Sequence, residues 1–232
     1  MHSVSARLYS DGTRRVNDLA ALTAVFTTAF ADQPDLADLS APARRVLATA
    51  AALFYERGAA DTSVRDLTSA CGLTPGALYN HFASKDDLLY RLVQHGHDGM
   101  RRRVLAAMAD CGDDPDSQFT EFVRAYLTGH LLQPELAQVV RREYLHLSPE
   151  RYNEVVHLRR SFRRWLTTIL EAGHNEGCFD IIGGAEAIAG QAVMVLDLCS
   201  RTSEWFQREG SIPVPTLTER YVIAARRLVG AR

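Results

Sequence analysis

Between Thr74 and Lys85 the chain carries a hydroxyl (Thr74), a phenol (Tyr79), a primary amide (Asn80), an imidazole (His81) and an ammonium (Lys85). This set does not pair a nucleophile with a base. It offers hydrogen bonds and one positive charge, the groups that meet phosphates and the edges of bases. The surrounding stretch, CGLTPGALYNHFASKDDLL over residues 71–89, admits two readings: a packed corner between helices, or a surface shaped to lie on another molecule.

Other chemistry does not assemble elsewhere. No nucleophile elbow, HExxH, phosphate-binding loop or dinucleotide fingerprint occurs, which speaks against an enzyme. Cys71, Cys111, Cys178 and Cys199 are scattered, without CxxC spacing, in or beside apolar helical stretches. That suits reduced thiols in a cytoplasmic protein rather than a disulfide frame or a zinc site. His95 and His97, two apart, do not share a helix face and make a poor metal pair, so neither metal nor other cofactor is expected. Gly96 and Gly99 in the same stretch read instead as softness between two parts of the chain.

The 232 residues are 47% hydrophobic, enough for a sizeable core, and the net charge is −2. Any nucleic-acid face must therefore be local. The 26 basic residues are arginines except for one lysine, Lys85. Residues 43–103 hold nine basic side chains against six acidic ones, a modest excess that assigns specificity to geometry more than to charge.

Helical periodicity dominates and no alternating strand pattern is convincing, so the fold class is all-α. Residues 1–40 read as an N-terminal arm or extra helix. Arg14 and Arg15 before the apolar LAALTAVFTTAFA imitate a secretion leader, but the long preceding region with Asp11 and Asp18 argues against one. No run approaches the ~18 consecutive apolar residues of a membrane span. After Ser40 and Pro42, Val46, Leu47, Ala50, Leu53 and Phe54 share a face up to Gly58. Ser63 with Asp66, Thr74 with Pro75, and Ser84 with Asp87 then open three more helices. The Thr74 helix is expected to run to about His81, and Leu78 and Phe82 pin it to the core. This is helix-turn-helix spacing, with Gly76 and Ala77 small enough for close approach of backbone to a duplex and Thr74, Tyr79, Asn80 and His81 facing the groove.

These features, together with Phe54 and Gly58, Thr62-Ser63-Val64, Leu67, the Gly72-Leu73 turn, Leu78-Tyr79-His81-Phe82 and Lys85 before Leu88, closely resemble the DNA-binding domain of TetR-family transcriptional regulators. The resemblance implies that Tyr79, His81, Lys85, Thr62 and Ser63 grip phosphates while Thr74, Gly76, Ala77 and Asn80 face base edges. It also implies a ligand-responsive repressor that binds a pseudo-palindromic operator as a homodimer; activation, or a helical interaction protein without DNA binding, remain alternatives. Residues 41–90 would then be a three-helix helix-turn-helix domain and residues 91–232 a helical bundle for effector binding and dimerisation.

In that second part helices are expected at about 117–132, 134–146, 149–175, 184–208 and 217–229, the last capped by Thr216 with Glu219. Ala185 to Cys199 is apolar nearly all round, so it must be covered on more than one side, and a second stripe carries Leu217, Tyr221, Ala224, Ala225 and Leu228. The family resemblance assigns these two helices to a four-helix dimer contact, with Ala187, Gln191, Met194, Leu198, Tyr221, Ala225 and Leu228 at the interface. Asp197 within the apolar run needs a partner. Phe122, Tyr126, His130, Tyr144, Arg159, Phe162, Arg163, Trp165, Met194 and Trp205 are the candidate ligand contacts, although aromatics at helical spacing also suit plain core. The portion from Val140 to Leu228 is similar to TetR-like regulators of lipid and steroid catabolism, which implies a small hydrophobic effector of the acyl-CoA class.

Overall fold

The computed structural model describes residues 19–31, 33–207 and 212–231; Arg14, Arg15 and the rest of the arm before Leu19 lie outside them. The described residues form eleven α-helices and three short 3-10 turns, with no strand beyond an isolated bridge between Phe179 and Ala231. None of these helices is long and apolar enough to cross a membrane.

Helix α1 (Leu19–Phe30) buries Leu22, Phe26 and Phe30, one side chain per turn, against α2 (Ala41–Arg57). Ser40 caps α2 by accepting from the Ala43 N–H at 3.3 Å, and Gly58 ends it at φ +86°, a conformation that favours glycine. In α3 (Val64–Cys71) Ser63 and Asp66 form the expected capping box, and Gly72 closes the helix in the left-handed region. Thr74 caps the short α4 (Pro75–Tyr79), which stops two residues before His81. Ser84 caps the 24-residue α5 (Lys85–Met108) through the Asp87 N–H at 2.9 Å.

Beyond it come α6 (Pro115–Leu132), α7 (Pro134–Glu143) and α8 (Pro149–Asn175), the last with the limits that its Ser-Pro start and periodicity suggest. The single helix expected over 184–208 is broken. A 3-10 turn at Gly184–Ala187 precedes α9 (Ile188–Ser200), and α10 (Thr202–Trp205) follows. Positive φ at Gly183 and Gly184 interrupts the start, and at the far end the Thr202 hydroxyl donates to the Cys199 carbonyl at 2.6 Å. Helix α11 (Val214–Leu228) starts three residues early, so Thr216 lies inside it and does not cap.

Two cores result. One joins α1 to α4 and the start of α5, and is closed by Leu136, Val139 and Val140 of α7 together with Leu147 and Val155. The other is built from Val104 of α5 with α6, α8, α9 and α11. Helix α5 plants Leu88, Leu89, Leu92 and Val93 in the first core and Val104 in the second. It is the beam that connects them.

Candidate nucleic-acid interface and effector cavity

Helix α4 presents a small open surface. Thr74, Gly76, Tyr79 and Asn80 are exposed, Tyr79 by 52%, while Ala77 and His81 are half-buried. Leu78 and Phe82 are buried and hold the helix to the first core, as the pattern requires. At the start of α4 the Ala77 N–H donates to the Thr74 hydroxyl at 3.3 Å and the Leu78 N–H to the Thr74 carbonyl at 3.2 Å, beside the exposed phenol and amide.

Three expected phosphate contacts have other occupations. Thr62 is 0% exposed and its hydroxyl donates to the Gly58 carbonyl at 2.7 Å, so it closes the turn after α2 and cannot reach a phosphate in this fold. Ser63 is exposed, but its hydroxyl is engaged with Asp66, at 3.1 Å from the N–H and 2.6 Å from the carboxylate. Those Ser63 bonds hold the Asp66 carboxyl below its usual range. The Lys85 ammonium donates to the carbonyls of Ala59 at 2.7 Å and Thr62 at 2.9 Å. It clamps the turn with two of its three N–H donors. Glu143 of α7, buried, accepts from the Ala59 N–H at 2.7 Å and clamps the same turn from the other side. Glu143 carried no signal in the sequence, because its partner lies 84 residues away.

The start of α5 is tied to α8. Arg151 donates to Asp86 at 3.1 Å and Asp87 at 2.7 Å, and its guanidinium lies 4.9 Å above the Tyr90 ring. The Ser148 N–H reaches Asp86 at 2.9 Å, and the Tyr90 hydroxyl donates to Glu154. Desolvation, followed by this Glu154 contact, pushes the Tyr90 phenol up to about 12.

Between α5, α6, α7, α8 and α9 lies a cavity of about 990 Å³. Of the ten expected ligand contacts, Tyr126, His130, Tyr144, Arg159, Phe162 and Arg163 line it. The other four do not. Phe122 is fully buried behind Tyr126, with ring centroids 5.8 Å apart, and Trp165 stands edge-on to Phe162 outside the lining. Met194 and Trp205 project onto the outer surface. Sequence reasoning missed His97, Met100, Arg141 and Val140 as wall residues, since a helix pattern does not say which core-facing side chains border a void.

The wall is cationic at α7 and α8, where Arg141, Arg159, Arg160 and Arg163 line it, with Asp197 opposite on α9. Arg159 lies 4.6 Å over the Tyr144 ring, and Tyr144 stacks on Tyr152 at 5.8 Å. Burial brings His97 down to about 4 and His130 to about 3, and raises Tyr126 to about 12. Gly96 is a point of contact rather than softness: a Cβ there would stand 2.5 Å from a Val140 methyl. His95 binds Asp35 through Nδ1 at 2.5 Å; no group of three or more metal-binding side chains occurs among the described residues.

On the last two long helices most of the expected partner contacts are engaged within the subunit. Gln191 and Ala225 are buried within their own subunit, and the Gln191 amide donates to the Leu228 carbonyl at 3.1 Å. Ala187, Leu198, Tyr221 and Leu228 pack against the second core. Met194 alone of the expected set is well exposed, at 53%, and it is joined by Val193 on α9 and Ile223 on α11. Asp197 is exposed at the border of the cavity, so burial does not require the partner expected for it.

Residues 46–92 match the family model of bacterial regulatory proteins, tetR family, and residues 112–229 match the tetracyclin repressor-like C-terminal domain. The HTH-type transcriptional repressor KstR2 of Rhodococcus jostii is 28% identical over 181 residues, 76% of this chain and 85% of that protein. A solved bacterial regulatory protein of the tetR family from Rhodococcus RHA1 is 30% identical with a TM-score of 0.75, covering 83% of this chain and 99% of its own. The structure of AibR in complex with isovaleryl coenzyme A and operator DNA has a TM-score of 0.70 at 20% identity, covering 82% and 100%, a likeness of fold.

Proposed function

The chain belongs to the tetR family of bacterial regulatory proteins, a family of transcriptional regulators rather than enzymes, and from that premise we propose that it is a ligand-responsive repressor. Two copies place their α4 helices in successive major grooves of a pseudo-palindromic operator in the cytoplasm. Residues 41–90 read the duplex, and residues 91–232 hold the effector and the partner. Thr74, Gly76, Ala77 and Asn80 meet base edges, while Tyr79 and His81 contact the backbone. The copies meet through Val193, Met194 and Ile223.

The observation that carries this reading is the course of α5. It leaves the turn that supports α4, its first residues are held by Arg151 of α8, and its middle forms the cavity wall through His97 and Met100. An effector wedged against α8 can then shift the start of α5 and with it the spacing of the two probes. A small hydrophobic effector suits the wall, and an acyl-CoA suits its arginines, which can meet phosphates while the tail lies along Tyr126 and Phe162. AibR, with the same fold, is named for a complex with such a thioester and with operator DNA. The relative from Rhodococcus jostii is named a repressor, which favours repression over activation.

A gel shift on DNA flanking the protein's own gene tests the reading. The free protein should retard a fragment containing an inverted repeat, and the effector should release it. Retardation that no hydrophobic compound reverses removes the coupling. Release by other hydrophobes but by no acyl-CoA removes the thioester.

A further inference from the structure

One polar side chain in the cavity wall has no hydrogen-bond partner among the described residues. His130 of α6 lines the cavity, is 9% exposed, and neither Nδ1 nor Nε2 has a hydrogen-bond partner among the described residues. The other two buried histidines behave differently. His95 is held by Asp35, and the His97 Nδ1 lies 2.8 Å from the Val93 carbonyl, so that nitrogen carries its hydrogen and donates. The His130 ring stands T-shaped to that of Tyr126, at 4.9 Å between centroids. A histidine kept for packing alone would be paired, since a buried polar group without a partner is destabilising.

The imidazole is uncharged, because burial, reinforced by His97, Arg159 and Arg141, opposes a proton. It therefore offers one N–H and one lone pair. A cation would be repelled there by Arg141 and Arg159, and an anion is met better by those guanidinium groups themselves. We infer that the effector carries an uncharged oxygen, a hydroxyl or a ketone, within its apolar part, and that His130 is the residue that selects for it. This rests on the proposal that the cavity holds a hydrophobic effector.

Tetralin, 2-tetralol and 2-tetralone, titrated calorimetrically into the full chain, provide the test. Each is small enough to settle freely in the cavity. Without a polar partner the added oxygen weakens burial, so tetralin would bind best. With His130 as partner the order inverts, and the oxygenated compounds bind about tenfold tighter or more. His130→Leu should abolish this preference, and His130→Gln, which retains a donor and an acceptor, should keep part of it. Without ligand, His130→Leu should also melt roughly 2–6 °C higher, because it removes an unmatched polar group. The inference is overturned if tetralin binds as well as its oxygenated counterparts, if none of the three binds, if the preference survives in His130→Leu, or if that variant melts lower. The wild-type gel shift reads operator binding separately, so its failure would remove the parent proposal without altering the calorimetric order.

Discussion

Lys85 shows how a residue that stands out in the sequence can have a second task within the fold. As the one lysine of the chain beside a helix-turn-helix it suggests a phosphate contact, yet two backbone carbonyls hold its ammonium. Lys85→Met should therefore cost about 1.5–3 kcal/mol of stability in urea melts, the range for hydrogen bonds to a charged group. It should weaken binding to all DNA sequences while leaving the slope of log affinity against log salt unchanged. A slope smaller by about one would restore the phosphate role. The buried histidines make a second prediction. Desolvation lowers His95, His97 and His130 from 6.5, so the unfolded chain binds protons that the folded chain refuses. Stability from these groups is complete above 6.5 and falls with pH, down to about 4 for His97 and about 3 for His130. Each such histidine weakens folding by about 1.4 kcal/mol per pH unit within its window. Melting temperatures at pH 7, 5.5 and 4.5 should decline steadily, and His130→Leu should make the decline shallower.

At the scale of elements, the helix starts were legible because capping is local. Ser40, Ser63, Thr74 and Ser84 each accept from an N–H three residues on, a relation visible in the sequence. The break after Ser200 was not legible, since residues 200–204 contain neither glycine nor proline and the hydroxyls of Thr202 and Ser203 turn back on carbonyls only in the folded chain. Gly96 belongs to this scale as well. It lets α5 approach α7 closely, with the space for a Cβ already taken by Val140. Gly96→Ala should destabilise the protein by about 1–3 kcal/mol through overpacking, and adding Val140→Ala should recover most of that loss. Full additivity of the two changes in denaturant melts would show that the helices do not press on one another there.

For the whole molecule the open question is what covers α9 and α11. An apolar helix told us that cover was needed, but six of the seven expected contacts are buried in the subunit or pack against its own core. The large apolar side chains exposed on these two helices are Val193, which also borders the cavity, Met194 and Ile223, the last 49% exposed. Met194→Glu combined with Ile223→Glu should leave far-ultraviolet circular dichroism unchanged and give a monomer by sedimentation. Operator affinity should drop more than about tenfold, because a pair of half-sites would then be read one at a time. A double variant that sediments as the wild type does would move the contact elsewhere.

The sequence by itself determined the helical class, most helix starts, and the pinned and open sides of α4, because caps, proline positions and apolar spacing act within a few residues. Tertiary structure alone decided that Lys85 and Glu143 grip one turn, that α5 links two cores, and that Phe122 lies behind a cavity which His130 borders. These relations join residues tens of positions apart. They depend on which inward face meets another helix and which meets a void, and an apolar pattern is the same in either case.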